Sequence, residues 1–134
     1  MQRPDDWPER LLATVERHRG AAFAWGVFDC GTLLRDCALA LGAADPLSVF
    51  GTWDSQLTAL IRLRRCNVAS IRDHIMATLT PVAVGHAMRG DVGYAAVWGP
   101  LSCPAVVLGA EAVSRDESGW IVIGASQLTE IYRL

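Results

Sequence analysis

Apolar residues change their spacing near the tripeptide Arg89-Gly90-Asp91. Before it they recur at helical intervals, and after it they form short runs separated by turn residues. Helices in one part of a chain and strands in the other are typical of α+β domains rather than of alternating βαβ units. No Pro-, Gly- or Ser-rich linker interrupts the chain, so we predict one domain over residues 1–134, helical over 1–80 and strand-rich over 90–134.

Two helices are predicted in the first forty residues or so. The first runs from Trp7 to Arg19, with Asp6 and Glu9 at capping-box spacing and Gly20 after its last turn. The second starts at Cys30, where Asp29 can accept hydrogen bonds from the first turn, and it stops at Gly42. Its apolar face consists of Leu33, Leu34, Cys37, Ala38 and Leu41.

Two further helices and five strands complete the prediction. The third helix spans Trp53 to Arg64 and the fourth Ser70 to Leu79, with Ser70 as a start signal; Pro81 closes the helical part. We predict strands at Val92–Val97, Ala105–Leu108, Ala110–Val113, Trp120–Ile123 and Ile131–Tyr132. Asp116 and Glu117 mark a hairpin tip. Because short turns separate the runs, the strands should form an antiparallel meander.

Composition excludes several classes of function. The chain has 51% hydrophobic residues and a formal net charge of -2, so it folds around a core and offers no basic field to nucleic acid. No apolar run is long enough to cross a membrane, and the N-terminus lacks the hydrophobic stretch of a signal peptide. Phosphate-binding glycine loops and metal-ligand clusters are absent from the sequence, so we expect neither a cofactor nor a metal.

Cys30 is the residue best placed for chemistry. The unpaired N–H groups and the positive dipole end of a helix start favour a thiolate, which lowers the pKa of the cysteine and makes it a better nucleophile. The alternative is a buried cysteine at a helix start with no chemical role. For a chain made in a reducing cytosol, Cys37, Cys66 and Cys103 are expected to be free thiols that behave as small buried apolar groups.

The residues around Cys30 resemble a known family. The segment Trp25-Gly26-Val27-Phe28-Asp29-Cys30-Gly31, followed by an apolar helix and by Arg89-Gly90-Asp91-Val92, looks like the NlpC/P60 branch of papain-like cell-wall peptidases. The likeness is closest to small phage and prophage members, which begin with a helix like Trp7-Pro8-Glu9-Arg10-Leu11 and carry an Asp-Pro like Asp45-Pro46. It implies helices packed on a C-terminal antiparallel sheet of about five strands.

The resemblance also assigns roles to individual residues. Cys30 matches the nucleophile and Asp29 the residue before it. The groove and motif positions that match are Trp25, Gly26, Gly31, Gly90 and Asp91.

One departure from the family pattern affects the expected activity. Family enzymes carry a general-base histidine at the start of the strand after Gly-Asp-Leu/Val, whereas the corresponding stretch here begins Cys103-Pro104-Ala105. A cysteine peptidase needs an imidazole beside its sulfur to hold the thiolate and to protonate the leaving amine. The three histidines, His18, His74 and His86, lie elsewhere in the sequence and are expected to be surface or structural residues, with His86 the least remote substitute.

These observations lead to three functional hypotheses. The favoured one is a structural component of a phage or prophage tail tip (baseplate), made in the bacterial cytoplasm and built into the virion, whose degenerate peptidase-like groove contacts other tail proteins. The alternative is an active peptidoglycan amidase or endopeptidase that uses Cys30. A redox switch between Cys30 and Cys37 is disfavoured, because two helical turns separate them. Four tryptophans could anchor a partner, and we expect at least half of them to be buried: Trp7, Trp53, Trp98 and Trp120.

Overall fold

Four α-helices and a six-stranded antiparallel sheet make up the computed structural model, which describes residues 3–95 and 103–134. The helices are α1 (Trp7–Arg19), α2 (Cys30–Ala40), α3 (Gln56–Arg65) and α4 (Ile71–Thr78). The strands are β1 (Thr80–Val82), β2 (Val92–Tyr94), β3 (Ala105–Val107), β4 (Glu111–Asp116), β5 (Gly119–Gly124) and β6 (Glu130–Arg133). Helices therefore precede strands, and the predicted α+β class is confirmed.

Helix α1 has the predicted bounds but not the predicted cap. Asp6 makes no side-chain capping bond. Its carboxylate instead pairs with Arg10 one turn later, at 2.9 Å. The helix is held by its apolar face, on which Leu11 and Val15 are almost fully buried. Packing of this face stabilises α1 more than its terminus does.

Helix α2 is the best predicted element. Asp29 and Thr32 form a reciprocal capping box: the Asp29 carboxylate accepts from the Thr32 N–H and the Thr32 hydroxyl accepts from the Asp29 N–H, both at 2.8 Å. Gly42, with a φ of 79°, follows the last turn in the left-handed conformation that glycine tolerates. All the predicted apolar positions on its face are buried.

Helices α3 and α4 are shorter than predicted because each begins at a serine cap. The Ser55 hydroxyl accepts from the Thr58 N–H at 3.1 Å, so α3 starts at Gln56 and Trp53 lies outside it. Ser70 accepts from the Asp73 N–H, as expected of a start signal.

The predicted meander is correct only in part. Strands β2, β3, β4 and β5 are consecutive neighbours, but β6 crosses back to pair with β2 on one side and β1 on the other. Strand β1 was not predicted, because Pro81 marked the end of the helical part. Pro81 lacks an N–H group and is tolerated because β1 is an edge strand. The predicted residues 96 and 97 of the β2 segment lie outside the described residues.

The packing of α2 between α1 and the sheet sets the position of Cys30. Leu11 of α1, Leu33 and Cys37 of α2, and Val106 of β3 share one buried cluster. Strand β3 is buried along its whole length. The first residue of α2 is therefore fixed relative to the segment that enters β3.

The tryptophan expectation is not met. Trp7, Trp53 and Trp120 are all partly exposed, and Trp98 lies outside the described residues. No helix in the described ranges is long and apolar enough to span a bilayer.

Candidate functional site: the Cys30 groove

An open groove passes the start of α2. It encloses about 250 Å³ and extends from α3, where Ala59 and Leu63 line it, past Cys30 to Asp116 at the β4–β5 hairpin. We call this feature the Cys30 groove. Most of its wall is apolar, and its aromatic members include Trp25, Phe50 and Trp53.

Cys103 is the partner of Cys30 in this groove. Both cysteines are partly exposed and both line the groove, and a side-chain hydrogen bond between them is the largest influence on the pKa of each. Cys103 lies two residues before β3, where the resembled family has its general-base histidine. The prediction that Cys103 and Cys66 are merely buried apolar groups is wrong, since both are partly exposed; it is confirmed for Cys37, which is fully buried.

The helix start does not lower the pKa of Cys30, in contrast to the effect expected of that position. The hydrogen bond with Cys103 and the burial of the sulfur raise the pKa of the Cys30 thiol well above its ordinary value, and the nearby Asp29 carboxylate adds to the effect. These effects outweigh the backbone hydrogen bond at the helix start, which acts in the opposite direction. Conversely, the hydrogen bond from Cys30 lowers the pKa of Cys103. The thiolate of the pair therefore forms on Cys103.

Asp29 is a structural carboxylate rather than a catalytic one. Only 2% of it is exposed. Its Oδ2 accepts from the Gly26 N–H and from the Trp53 indole N–H, both at 2.7 Å, while Oδ1 accepts from the Thr32 N–H. With its oxygens occupied by three donors, the carboxylate fixes the turn before Cys30 and is not free to accept a substrate proton.

The glycines of the motif allow close packing. Gly26 has a φ of 77°, and a Cβ added there would lie 1.7 Å from the Trp53 carbonyl oxygen. A Cβ on Gly31 would meet the Trp53 ring at 3.2 Å. Trp25 also lines the groove, and its ring packs edge-on against the ring of Phe23, with 5.1 Å between the two ring centroids. Gly31 lines the groove too, whereas Gly26 does not.

Gly90 and Asp91 are not in the groove. Asp91 is fully buried and accepts two hydrogen bonds from Arg133, at 3.0 and 3.1 Å, and one from the Met88 N–H at 2.8 Å. Gly90 has a φ of 93° and donates its N–H to the Val107 carbonyl. These two residues join β2 to β3 and β6, so their role is to build the sheet.

None of the three imidazoles lines the Cys30 groove. His18 is fully buried and its Nε2 lies 2.7 Å from Oδ2 of Asp36. His74 bonds the Pro46 carbonyl, and His86 is exposed on the loop before β2. Among the described residues, no imidazole stands where a general base for Cys30 is needed.

Charged residues lie at the hairpin end of the groove. Arg115 is 4% exposed and donates from Nη1 to the carbonyls of His18 and Ala21, so it caps the C-terminal end of α1. Asp116 and Glu117 follow it along the hairpin. Asp116 accepts from Ser118, and hydrogen bonding to Ser118 lowers the pKa of this carboxylate. The predicted hairpin tip is confirmed.

Comparison with known proteins places the chain in a family. The family described as "Domain of unknown function (DUF6950)" matches residues 2–134. The chain belongs to DUF6950. None of the curated proteins with which the chain was compared matches it.

Three residues of this DUF6950 domain form part of the site without having been predicted. Trp53 holds Asp29, Cys103 pairs with Cys30, and Arg115 lines the far end of the groove. Cys103 had a usable signal, because it occupies the position of the absent histidine. The sequence gives no such signal for Trp53 or Arg115, because the role of each depends on contacts with distant segments of the chain. No group of three or more potential metal ligands occurs in residues 3–95 and 103–134.

Proposed function

We propose that this DUF6950 domain is an NlpC/P60-type papain-like domain without peptidase activity that serves as a structural component of a phage tail tip. Its groove would hold an extended segment of a neighbouring tail protein. The observation that carries the proposal is that Cys30, at the position of the nucleophile in the resembled family, faces the Cys103 thiol rather than an imidazole. The tail location rests on the resemblance to small phage members.

The Cys30–Cys103 pair is unsuited to amide hydrolysis. Acyl transfer to a thiol requires a thiolate nucleophile and then an acid to protonate the leaving amine. Cys30 has a raised pKa and is therefore a thiol at neutral pH. A Cys103 thiolate could accept a proton, but within residues 3–95 and 103–134 it has no orienting partner of the kind that fixes a catalytic imidazole.

The shape of the groove supports a polypeptide as the occupant. It is open to solvent, and its largely apolar wall includes the partly exposed rings of Trp25 and Trp53. Aromatic side chains of this kind anchor protein partners. Arg62 lies towards the α3 end, whereas at the hairpin end the two carboxylates of Asp116 and Glu117 outnumber the one guanidinium of Arg115. An extended segment with complementary charges fits this arrangement.

Restoring an imidazole tests the loss of activity directly. In Cys103→His, a histidine stands beside Cys30, and we expect iodoacetamide to alkylate Cys30 at least about tenfold faster at pH 7 than in the parent, because an imidazolium stabilises the thiolate. Cys103→Ser is the matched control and should give no such gain. The parent protein should leave purified peptidoglycan sacculi intact.

The competing hydrolase hypothesis predicts different results. Release of soluble muropeptides from sacculi by the parent protein, abolished by Cys30→Ala, would establish an active enzyme and refute the proposed loss of peptidase activity. Rapid alkylation of Cys30 in the parent at neutral pH would point the same way.

The assembly role is tested by co-expression with the products of the neighbouring genes, among which we expect phage tail proteins. Co-expressed with them, the domain should co-purify with one, and Leu60→Glu, which places a charge in the groove, should weaken that association at least about tenfold. Leu57→Glu is the control: Leu57 is on the same helix, is 67% exposed and does not line the groove. Equal binding by both variants, or binding to none of the tail proteins, would refute the role.

A further inference from the structure

The Cys30 and Cys103 sulfurs are brought together by elements far apart in the sequence. Cys30 is the first residue of α2, and Cys103 stands two residues before β3. Helix α2 packs directly against β3 through the cluster that contains Leu33 and Val106. Both residues line one groove, and each is the largest influence on the pKa of the other. A disulfide between them requires the two sulfurs to approach to about 2.05 Å.

We propose that Cys30 and Cys103 are a redox-active pair that forms a reversible disulfide across the Cys30 groove. The bond would tie the start of α2 to the segment that enters β3. It would remain open where glutathione keeps thiols reduced and close in an oxidising milieu. Formation of this bond does not depend on the proposed tail-tip role.

The two sulfurs have different roles in the reaction with hydrogen peroxide. Cys103 attacks first, because the hydrogen bond from Cys30 lowers its pKa and favours its thiolate. Its sulfur bonds one peroxide oxygen, the O–O bond breaks, and the departing hydroxide takes up a proton, leaving a sulfenic acid and water. The Cys30 sulfur then attacks the Cys103 sulfur, the S–O bond breaks, and the hydroxyl leaves as water with the proton of Cys30. Two thiols and one peroxide thus give one disulfide and two waters.

The other two cysteines do not compete. Cys37 is fully buried in the α1–α2 cluster, and burial raises its pKa to about 12. Cys66 lies at the end of α3, where its thiol donates to the Val49 carbonyl at 3.7 Å, and it does not line the groove. Cys66 therefore provides a partly exposed control thiol in the same chain.

The test treats the full chain with hydrogen peroxide, removes the excess and maps disulfides by mass spectrometry. We expect loss of two hydrogen atoms, a Cys30–Cys103 linked peptide, and recovery of both thiols with dithiothreitol. Cys66→Ser should oxidise like the parent. Maleimide labelling then follows the remaining free Cys30 during peroxide treatment. In Cys103→Ser this labelling should decline more than about tenfold more slowly than in the parent, because the attacking Cys103 thiolate is absent.

Several results would overturn the proposal. These are a linked peptide that contains Cys66, cross-linking only between molecules, or equal peroxide sensitivity of Cys30 with and without Cys103. If Cys103→Ser fails to fold, the parent is titrated instead in mixtures of reduced and oxidised glutathione. An unchanged ratio of free Cys30 to free Cys66 across that titration would equally refute the pair.

Discussion

The indole nitrogen of Trp53 donates a 2.7 Å hydrogen bond to Oδ2 of Asp29. That oxygen also accepts from the Gly26 N–H, so one buried carboxylate joins the turn before α2 to the loop before α3. The wall of the groove and the start of the cysteine helix are consequently a single hydrogen-bonded unit.

Removing this indole donor should destabilise the domain. We expect Trp53→Phe to lower the free energy of unfolding by about 2 kcal/mol, since a buried carboxylate loses a charge-assisted hydrogen bond. Urea denaturation followed by circular dichroism measures the change.

Trp120→Phe provides the matched control. The Trp120 indole nitrogen is buried and has no hydrogen-bond partner among the described residues. Its replacement should leave stability nearly unchanged or raise it, because an unsatisfied donor is removed. Equal losses in the two variants would mean that ring packing, and not the bond to Asp29, accounts for the effect of Trp53.

Because Gly26 is closely packed, one added methyl group there should strongly reduce the stability of the fold. Gly26→Ala places a Cβ 1.7 Å from the Trp53 carbonyl oxygen and should abolish the native turn or cost more than about 3 kcal/mol. Gly51→Ala is the control, because Gly51 also has a positive φ, of 68°, but a Cβ there has nothing within 4 Å. It should cost about 1–3 kcal/mol from backbone strain alone, since its φ of 68° and ψ of -130° lie in a region that alanine rarely adopts. The measurement is the thermal midpoint of each variant relative to the parent. A much larger decrease in Gly26→Ala indicates a steric clash, whereas similar decreases in both variants would contradict the close contact with the Trp53 carbonyl.

Asp91 should contribute more to stability than a surface carboxylate with a similar partner. Asp91→Asn removes the charge of a fully buried carboxylate, which accepts from the partly exposed Arg133, and should cost about 2 kcal/mol, measured by urea denaturation. Asp6→Asn is the control: Asp6 pairs with Arg10 at 2.9 Å, but both side chains are more than half exposed. Because solvent screens such pairs, its effect should be close to zero. A neutral Asp91→Asn would show that the Asp91–Arg133 pair is dispensable for folding.

His18 should make stability depend on pH. Burial lowers the pKa of His18 below its ordinary 6.5, against the opposing effect of Asp36, so the folded protein keeps a neutral ring. As pH falls below about 6.5, the unfolded chain binds a proton that the folded chain does not, and stability therefore decreases. Arg17 and Arg115 also face this ring and oppose its protonation.

The measurement is the thermal midpoint between pH 7.5 and pH 5.5. We expect His18→Gln to flatten the decrease seen in the parent, whatever its effect on stability at pH 7.5. His86→Gln, at an exposed imidazole, should leave the decrease unchanged. An equally steep decrease in His18→Gln would assign the pH dependence to other groups.

Local signals in the sequence predicted local structure well. The spacing from Cys30 onward, the Asp29 cap and Gly42 define α2 because all of them act within a few residues of one another. The same applies to Ser70 at the start of α4. The cap at Ser55 was missed because Trp53, in the sequence, extends the apolar pattern of α3 by one turn. The Trp53 indole instead donates a hydrogen bond to Asp29.

Pairings between distant segments could not be predicted in the same way. Alternation shows that a strand exists but not which strand it lies beside, so the return of β6 to β2 was missed. Strand β1 is only three residues long and contains a proline, and it gives no periodic signal. At the site, Cys103 was noted as the residue that replaces a histidine, but its contact with Cys30 depends on how α2 packs on β3.

The position of β6 determines when the sheet can be completed. This strand lies between β1 and β2, so residues near 80 and 92 have no bridging neighbour until residues 130–133 are available. During translation the helices can form early, whereas the hydrogen-bond ladder stays open at its middle until residues 130–133 have left the ribosome. Deleting only these four residues would split the sheet and leave the edge of β2 unpaired and prone to join other chains.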